Sequence, residues 1–459
     1  MKLTVLGGGG VRSPLLVASM LHRAGAIHLD EICLMDINPE KLRLLGAICK
    51  YLAVRDGGRV RITMTNDARL ALEGARYVIT TIRVGEEQGR ILDERIALRH
   101  GILGQETTGP GGFAMAMRGI PAILDYARLA EEVCPGAWIF NFTNPAGLVA
   151  QALRDSGFER TVGICDGANQ AQMEAAKWLG IPQHELRAEV FGLNHLSWTR
   201  RLEREGEDIL PDLLSDAAFL AQSSQAIFER ELRERIGMWF NEYLFYYYYS
   251  ERALRSILAD EMTRGEEVLQ LNQGLLEQLQ AINPESNPEV ALRAYGAYER
   301  RRVATYMHYA YPDEDEEQNS DEPGNPLEDS LEESEGYAGI ALGIIQALES
   351  EEPLYIALNV PNRGAIAGLK DSDVVEVSCL VDNGSIRPLR IGEIPEHQEL
   401  LIRNVKLYER LAVKAILKRS RQEAVFALMQ HPLVPSYSLA RELVDEYVLA
   451  HAPFIGDWS

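Results

Sequence analysis

The chain opens MKLTVLGGGGVRSP (residues 1–14), and a helical stretch then leads to EICLMD (31–36). An apolar run, four glycines and a helix start describe a strand that turns tightly onto a helix N-terminus. Glycine permits that turn and lets a pyrophosphate approach the backbone, where the helix end favours its charge. Gly8 and Gly10 fit the first two positions of the dinucleotide fingerprint, with Ser13 at the third. The second run ends at Asp36, where an acid bonds both ribose hydroxyls of NAD and repels the 2′-phosphate of NADP. Candidate cofactor-binding residues are therefore Gly8, Gly9, Gly10 and Asp36, with Arg83 at the end of a later run.

Working outward, YVITTIR (77–83), AWIFNFT (137–143) and RTVGICD (160–166) are further β-rich runs, as is RVRITMT (59–65). Amphipathic stretches such as PEKLRLLGAICKYLAV (39–54) separate them. Alternation of this kind predicts an α/β fold, a doubly wound parallel sheet with helices on both faces. Ligands in such sheets sit beyond the carboxyl ends of the strands, so the residues that follow each run carry the chemistry.

After about residue 195 the pattern changes. SQAIFERELRERI (224–236) and EEVLQLNQGLLEQLQAI (266–282) read as long helices, and VVEVSCLV to RPLRIGEI (374–394) as a late β-rich section. The division expected is residues 1–195 as a Rossmann-like NAD-binding domain and 196–459 as an α+β domain for substrate, metal and oligomerisation. Residues 312–335 carry many acids and no base, which predicts a solvated surface loop.

Composition removes several classes of function. A formal net charge of -22 argues against nucleic acid and anionic membrane surfaces. No apolar run reaches the length of a membrane span. The five cysteines (Cys33, Cys49, Cys134, Cys165, Cys379) form no C-x-x-C pair, which disfavours a disulfide framework or zinc knuckle. The expectation is a soluble cytoplasmic protein.

Four motifs carry candidate chemistry. GICD (163–166) and GLNHLSW (192–198) offer Cys165 and His195. Singly, each reads as an ordinary core residue, but thiolate plus imidazole suits a divalent transition metal with open positions. Asn194 and Ser197 flank the imidazole and are placed to orient it or a sugar. GQETTGPGGF (104–113) sets Gln105, Glu106, Thr107 and Thr108 in a loop before a helix, also readable as a simple cap. FNFTNPAG (140–147) places Asn144 at the ligand edge, and NEYLFYYYYS (241–250) holds five tyrosines. Most such rings pack; one phenol made acidic by nearby positive charge would serve as a base.

In this order behind GGGG, GQETTGPGG, NFTNPAG, GICD, GLNHLSW and EYLFYYYY resemble glycoside hydrolase family 4, the NAD- and divalent-metal-dependent glycosidases. The resemblance extends through VKLYERLAVKAILKRSRQEAVFALMQHPLVP (405–435) and is nearest the 6-phospho-β-glucosidase branch. It implies a lactate/malate dehydrogenase-like arrangement, Cys165 and His195 as ligands of Mn²⁺, and Tyr243 as catalytic base. It further implies Glu106 supporting that base, Asp166 as proton donor, and Arg90, Asn144 and Arg264 as substrate-binding residues. The implied substrate is a phosphorylated disaccharide and the implied assembly a homodimer or homotetramer. The reaction implied is oxidation at C3 of the sugar, removal of the C2 proton, elimination of the aglycone, addition of water and return of the hydride. Such enzymes stand outside the usual two-carboxylate scheme.

Asp166 follows the cysteine where phospho-β members usually carry asparagine, so a 6-phospho-α-glucosidase, α-galactosidase or glucuronidase stays open. A simple hydroxy-acid dehydrogenase and a non-catalytic NAD-sensing module are the readings from other classes.

Overall fold

The computed structural model describes residues 1–307, 310, 337–350 and 352–459. The acidic segment 312–335 lies outside the described residues. The six early runs form β1 (Lys2–Leu6), β2 (Glu31–Met35), β3 (Arg61–Thr65), β4 (Ala75–Thr80), β5 (Trp138–Asn141) and β6 (Thr161–Gly163). They lie parallel in the order β3-β2-β1-β4-β5-β6, the doubly wound arrangement, so their carboxyl ends share one edge. Leu3, Val5, Ile32, Leu34, Val78 and Ile79 are buried, as expected for strands covered on both faces.

Three later strands join the same sheet: β11 (Leu354–Pro361), β12 (Val374–Asp382) and β13 (Ser385–Pro388). β11 runs antiparallel to β6, and β12 and β13 continue outward, giving nine strands. Chain from both sides of residue 195 thus shares one sheet and one contiguous apolar core. A second, smaller sheet holds β7 (Leu186–Leu193), β8 (Leu196–Arg204), β9 (Glu207–Asp208) and β10 (Trp239–Phe240). Its β7–β8 hairpin turns through Asn194 and His195, the latter at φ +63.

Two expectations need correction. The helix predicted over 224–236 is broken: Ser224–Ile227 is a 3₁₀ turn and Arg230–Ile236 a separate helix. Phe228 is drawn inward, edge-on to Phe240 at 4.9 Å, and the Glu229 N–H donates to the Tyr249 hydroxyl at 2.9 Å rather than to a helical carbonyl. In RPLRIGEI only the first two residues belong to a strand, because β13 ends at Pro388. The helix Arg264–Ile282 forms as predicted, opened by a Thr263/Glu266 capping box.

A buried ion pair braces the floor beneath the sheet edge. Both Nη atoms of Arg118, on the helix Gly109–Val133, donate to Asp93 at 2.6 Å. Asp93 sits on the helix Glu86–Arg99, and His451 Nε2 lies 2.8 Å from the same carboxylate. All three side chains are fully buried. Removing one partner of such a group leaves an uncompensated charge in the core, so Arg118→Leu is expected to cost about 3–5 kcal/mol, seen as a lower midpoint of urea unfolding.

Candidate active site

The carboxyl edge of the sheet opens onto a cavity of about 1390 Å³. At one end the backbone turns at Gly7 (φ +95), and Gly7, Gly9 and Gly10 line the wall with Asp36 and Arg83. The Gly9 N–H donates to Asp36 at 2.9 Å and the Asn38 N–H to the other carboxylate oxygen at 2.9 Å, which fixes the acid at the rim. A Cβ on Gly9 would stand 2.8 Å from the Asp36 carboxyl carbon. Gly8 is not on the wall. A Cβ there would stand 2.8 Å from that of Leu34, so this glycine serves the packing of the loop on β2. The cradle of turn, helix start and rim acid fits a dinucleotide.

Asn144, Asp166, His195 and Tyr243 line the middle of the cavity, and Cys165 lies buried immediately behind them. Cys165 Sγ is 3.5 Å from His195 Nε2, and the Tyr243 ring stacks on the imidazole with centroids 3.7 Å apart and planes within 11°. The Thr107 hydroxyl donates to Gln105 Oε1 at 3.0 Å, so towards His195 Nδ1, 3.1 Å away, it accepts. Nδ1 therefore carries the proton, and the Nε2 lone pair faces the sulfur.

Two donors this far apart can share one ion at ordinary thiolate and imidazole bond lengths of roughly 2.0–2.3 Å. The pair fits a divalent transition metal with open positions. Among the described residues no group of three or more His, Cys, Asp or Glu forms a complete protein cage. The expected orienter of the imidazole was Asn194 or Ser197. The structure gives that task to Thr107 and turns Asn194 and Ser197 onto the buried Glu376.

Glu106, Arg90 and Arg264 line the far wall. Arg83 Nη1 donates to Glu106 at 2.6 Å, and Arg90 Nη1 is 3.2 Å from its other oxygen. Burial alone would raise this carboxyl, but the two guanidinium groups hold it down at about 2. Arg90 is held in turn by Glu94 at 2.7 Å. Arg264 reaches Glu267 at 2.6 Å, the Arg302 carbonyl at 2.8 Å and the Thr305 hydroxyl.

Among the described residues no cationic side chain stands among the chief influences on the Tyr243 phenol. Burial pushes the Tyr243 hydroxyl well up, and the charges of Glu242, Glu106 and Cys165 push the same way. Sequence reasoning also missed Glu242 and Tyr306. The Tyr306 hydroxyl donates to Glu242 at 2.6 Å and lies 3.3 Å from that of Tyr243. Burial raises the Glu242 carboxyl to about 7.

Burial also raises the Cys165 thiol, with Asp166 and Glu376 adding to the shift, and holds the His195 imidazole down at about 3. His431, buried elsewhere, is likewise held at about 3. Both folded values lie below the ordinary 6.5, so between those limits the unfolded chain binds the extra protons. The stability that these two imidazoles contribute to the metal-free protein is therefore full above pH 6.5 and falls as the pH drops towards 3. His431→Gln is expected to reduce the slope by about one proton, or about 1.4 kcal/mol per pH unit, in urea unfolding across this range.

Comparison with known proteins agrees with this geometry. The family model described as "Family 4 glycosyl hydrolase" matches residues 2–181, and "Family 4 glycosyl hydrolase C-terminal domain" matches 190–434. A probable 6-phospho-beta-glucosidase of Bacillus subtilis is 30% identical over 99% of this chain and 97% of its own length. A phospho-alpha-glucosidase of Clostridium acetobutylicum is 27% identical over 100% of this chain and 98% of its own. The Thermotoga maritima 6-phospho-beta glucosidase, solved with manganese, NAD+ and glucose-6-phosphate, superposes with a TM-score of 0.81 at 27% identity, covering 99% of each chain. Through its glycine loop, its Cys165–His195 pair and its match over both halves, the chain belongs to family 4 of the glycosyl hydrolases.

Proposed function

We propose that this chain hydrolyses 6-phospho-β-glucosides with NAD and a divalent ion, manganese, the NAD being regenerated in every cycle. One observation carries the reading. His195, with Cys165 immediately behind it, and the Tyr243 ring stacked on its imidazole line the same cavity as the glycine loop and Asp36. The likeness to relatives named for phosphoglucosides supports the substrate.

Cys165 Sγ and His195 Nε2 would hold the ion, and the Gly9 and Gly10 backbone with Asp36 would seat the dinucleotide. When bound, these groups supply a reversible hydride acceptor for C3 of the sugar and Lewis acidity towards its oxygens. Tyr243 removes the C2 proton at its phenol oxygen. Burial keeps its proton in place in the bare pocket; positive charge arriving with the ligands would favour the phenolate that acts as base, and Glu106 works against that shift so that the oxygen stays basic. Asp166 gives a proton to the departing glycosidic oxygen at C1. Arg90, Asn144 and Arg264 hold the sugar; residues 1–195 carry the dinucleotide cradle together with both metal donors, and 196–459 add Tyr243, Arg264 and a homodimeric or homotetrameric assembly. A cytoplasmic location belongs to the same reading; among the described residues no helix is long and apolar enough to cross a membrane.

A second reading, an α-linked phosphoglucoside, is favoured by the carboxyl of Asp166 on the cavity wall beside Cys165. Purified protein should be assayed with NAD and Mn²⁺ against p-nitrophenyl α- and β-glucosides with and without a 6-phosphate, a galactoside and a glucuronide. Nitrophenol release from the 6-phospho-β-glucoside is expected, requiring both cofactors and without NADH accumulation. Tyr243→Phe is expected to lower kcat by about 10²–10⁴-fold while NAD affinity is retained. Release from the α-linked phosphosugar would select the second reading, and NADH accumulation on a hydroxy acid without cleavage would refute both.

A further inference from the structure

Glu376, on β12, is fully buried close behind the Cys165–His195 pair. One carboxylate oxygen accepts from Asn194 Nδ2 at 3.2 Å and Asn359 Nδ2 at 3.0 Å; the other accepts from Ser197 Oγ at 2.9 Å. Asn194 precedes His195 in the β7–β8 turn and Ser197 follows it near the start of β8, so a single carboxylate holds both flanks of the imidazole. The chain of bonds continues. Ser197 Oγ accepts from Asn241 Nδ2 at 3.2 Å, and Asn241 Oδ1 accepts from the Tyr243 N–H at 3.0 Å.

Every group touching Glu376 is a neutral donor aimed at an acceptor, and among the described residues no Lys, Arg or His forms an ion pair with it. A carboxylate this deep is costly unless a positive charge answers it. The charge the geometry provides for is the ion between Cys165 and His195. We propose that Glu376 is a positioning residue of the metal centre, its charge strengthening divalent-ion binding by Cys165 and His195 and its hydrogen bonds holding the Tyr243 turn in register with the imidazole. The proposal rests on the reading of Cys165 and His195 as the metal pair.

The test is Mn²⁺ titration of metal-free full-length protein, read by the electron spin resonance of free Mn²⁺, with NAD affinity and circular dichroism measured alongside. Glu376→Gln is expected to keep its fold and its NAD affinity within twofold, and to bind Mn²⁺ about 10–100-fold more weakly. Ser197→Ala keeps the charge but cuts the link to Asn241; it is expected to bind Mn²⁺ within threefold of the parent while kcat falls about tenfold. A folded Glu376→Gln protein with parental Mn²⁺ affinity overturns the proposal. So does a Ser197→Ala protein that loses as much affinity as Glu376→Gln. Should Glu376→Gln not fold, Glu376→Asp retains the charge and is expected to bind Mn²⁺ within threefold; a tenfold loss there overturns the proposal. A parent protein that binds no Mn²⁺ refutes the metal reading itself, a separate result.

Discussion

The site depends on one junction, where β11 is laid antiparallel against the three-residue β6. The two strands meet at a single pair, Asn359 opposite Gly163. A Cβ on Gly163 would stand 2.8 Å from that of Asn359 and 3.2 Å from that of Ala150, so only glycine admits this approach. Asn169 locks the contact from the other side: its amide accepts the Ala357 N–H at 2.9 Å and donates to the Ala357 carbonyl at 3.2 Å. Cys165, two residues beyond β6, is thereby pinned between the parallel half of the sheet and the late hairpin. The neighbouring strand β12 brings Glu376, and β7 and β8, packed alongside, bring His195.

Electrostatically the cavity has two halves. On the far wall Glu106, Arg83, Arg90 and Glu94 answer one another, so charge is balanced within the protein. Around Tyr243 the bias is acidic: burial raises the carboxyls of Glu242 and Glu376 to about 7, beside a phenol, a thiol and an imidazole whose proton affinities burial has likewise shifted away from charge. Low dielectric makes such an imbalance count for more than it would in water. A pocket like this is incomplete without cationic ligands. That is the physical content of calling it a cofactor site rather than a packed core.

Local pattern made much of this legible. The six parallel strands announced themselves by apolar runs, and the glycine loop and Asp36 by their position after the first two. Cys165 and His195 looked ordinary separately and gained meaning from motif order. What escaped was long-range. Thr107 meets His195 across 88 residues, Ser197 meets Glu376 across 179, and no spacing rule reports such contacts. The break at Phe228 was hidden for the same reason, because helical periodicity does not register a ring pulled towards Phe240. Which of four identical glycines makes the tight turn is likewise invisible in the pattern, because only the backbone dihedrals single out Gly7.

The same junction bears on how the chain is made. β6 is complete at Gly163, yet its outer edge stays bare until β11 emerges about 190 residues later. At ribosomal speeds of roughly 5–20 residues per second that leaves an open strand edge for about 10–40 s. Such edges recruit other strands indiscriminately. β6 is only three residues long, which keeps the template short during the wait, and its glycine gives an incoming stranger little to grip. The brevity that makes β6 a weak strand in the finished sheet protects the nascent one.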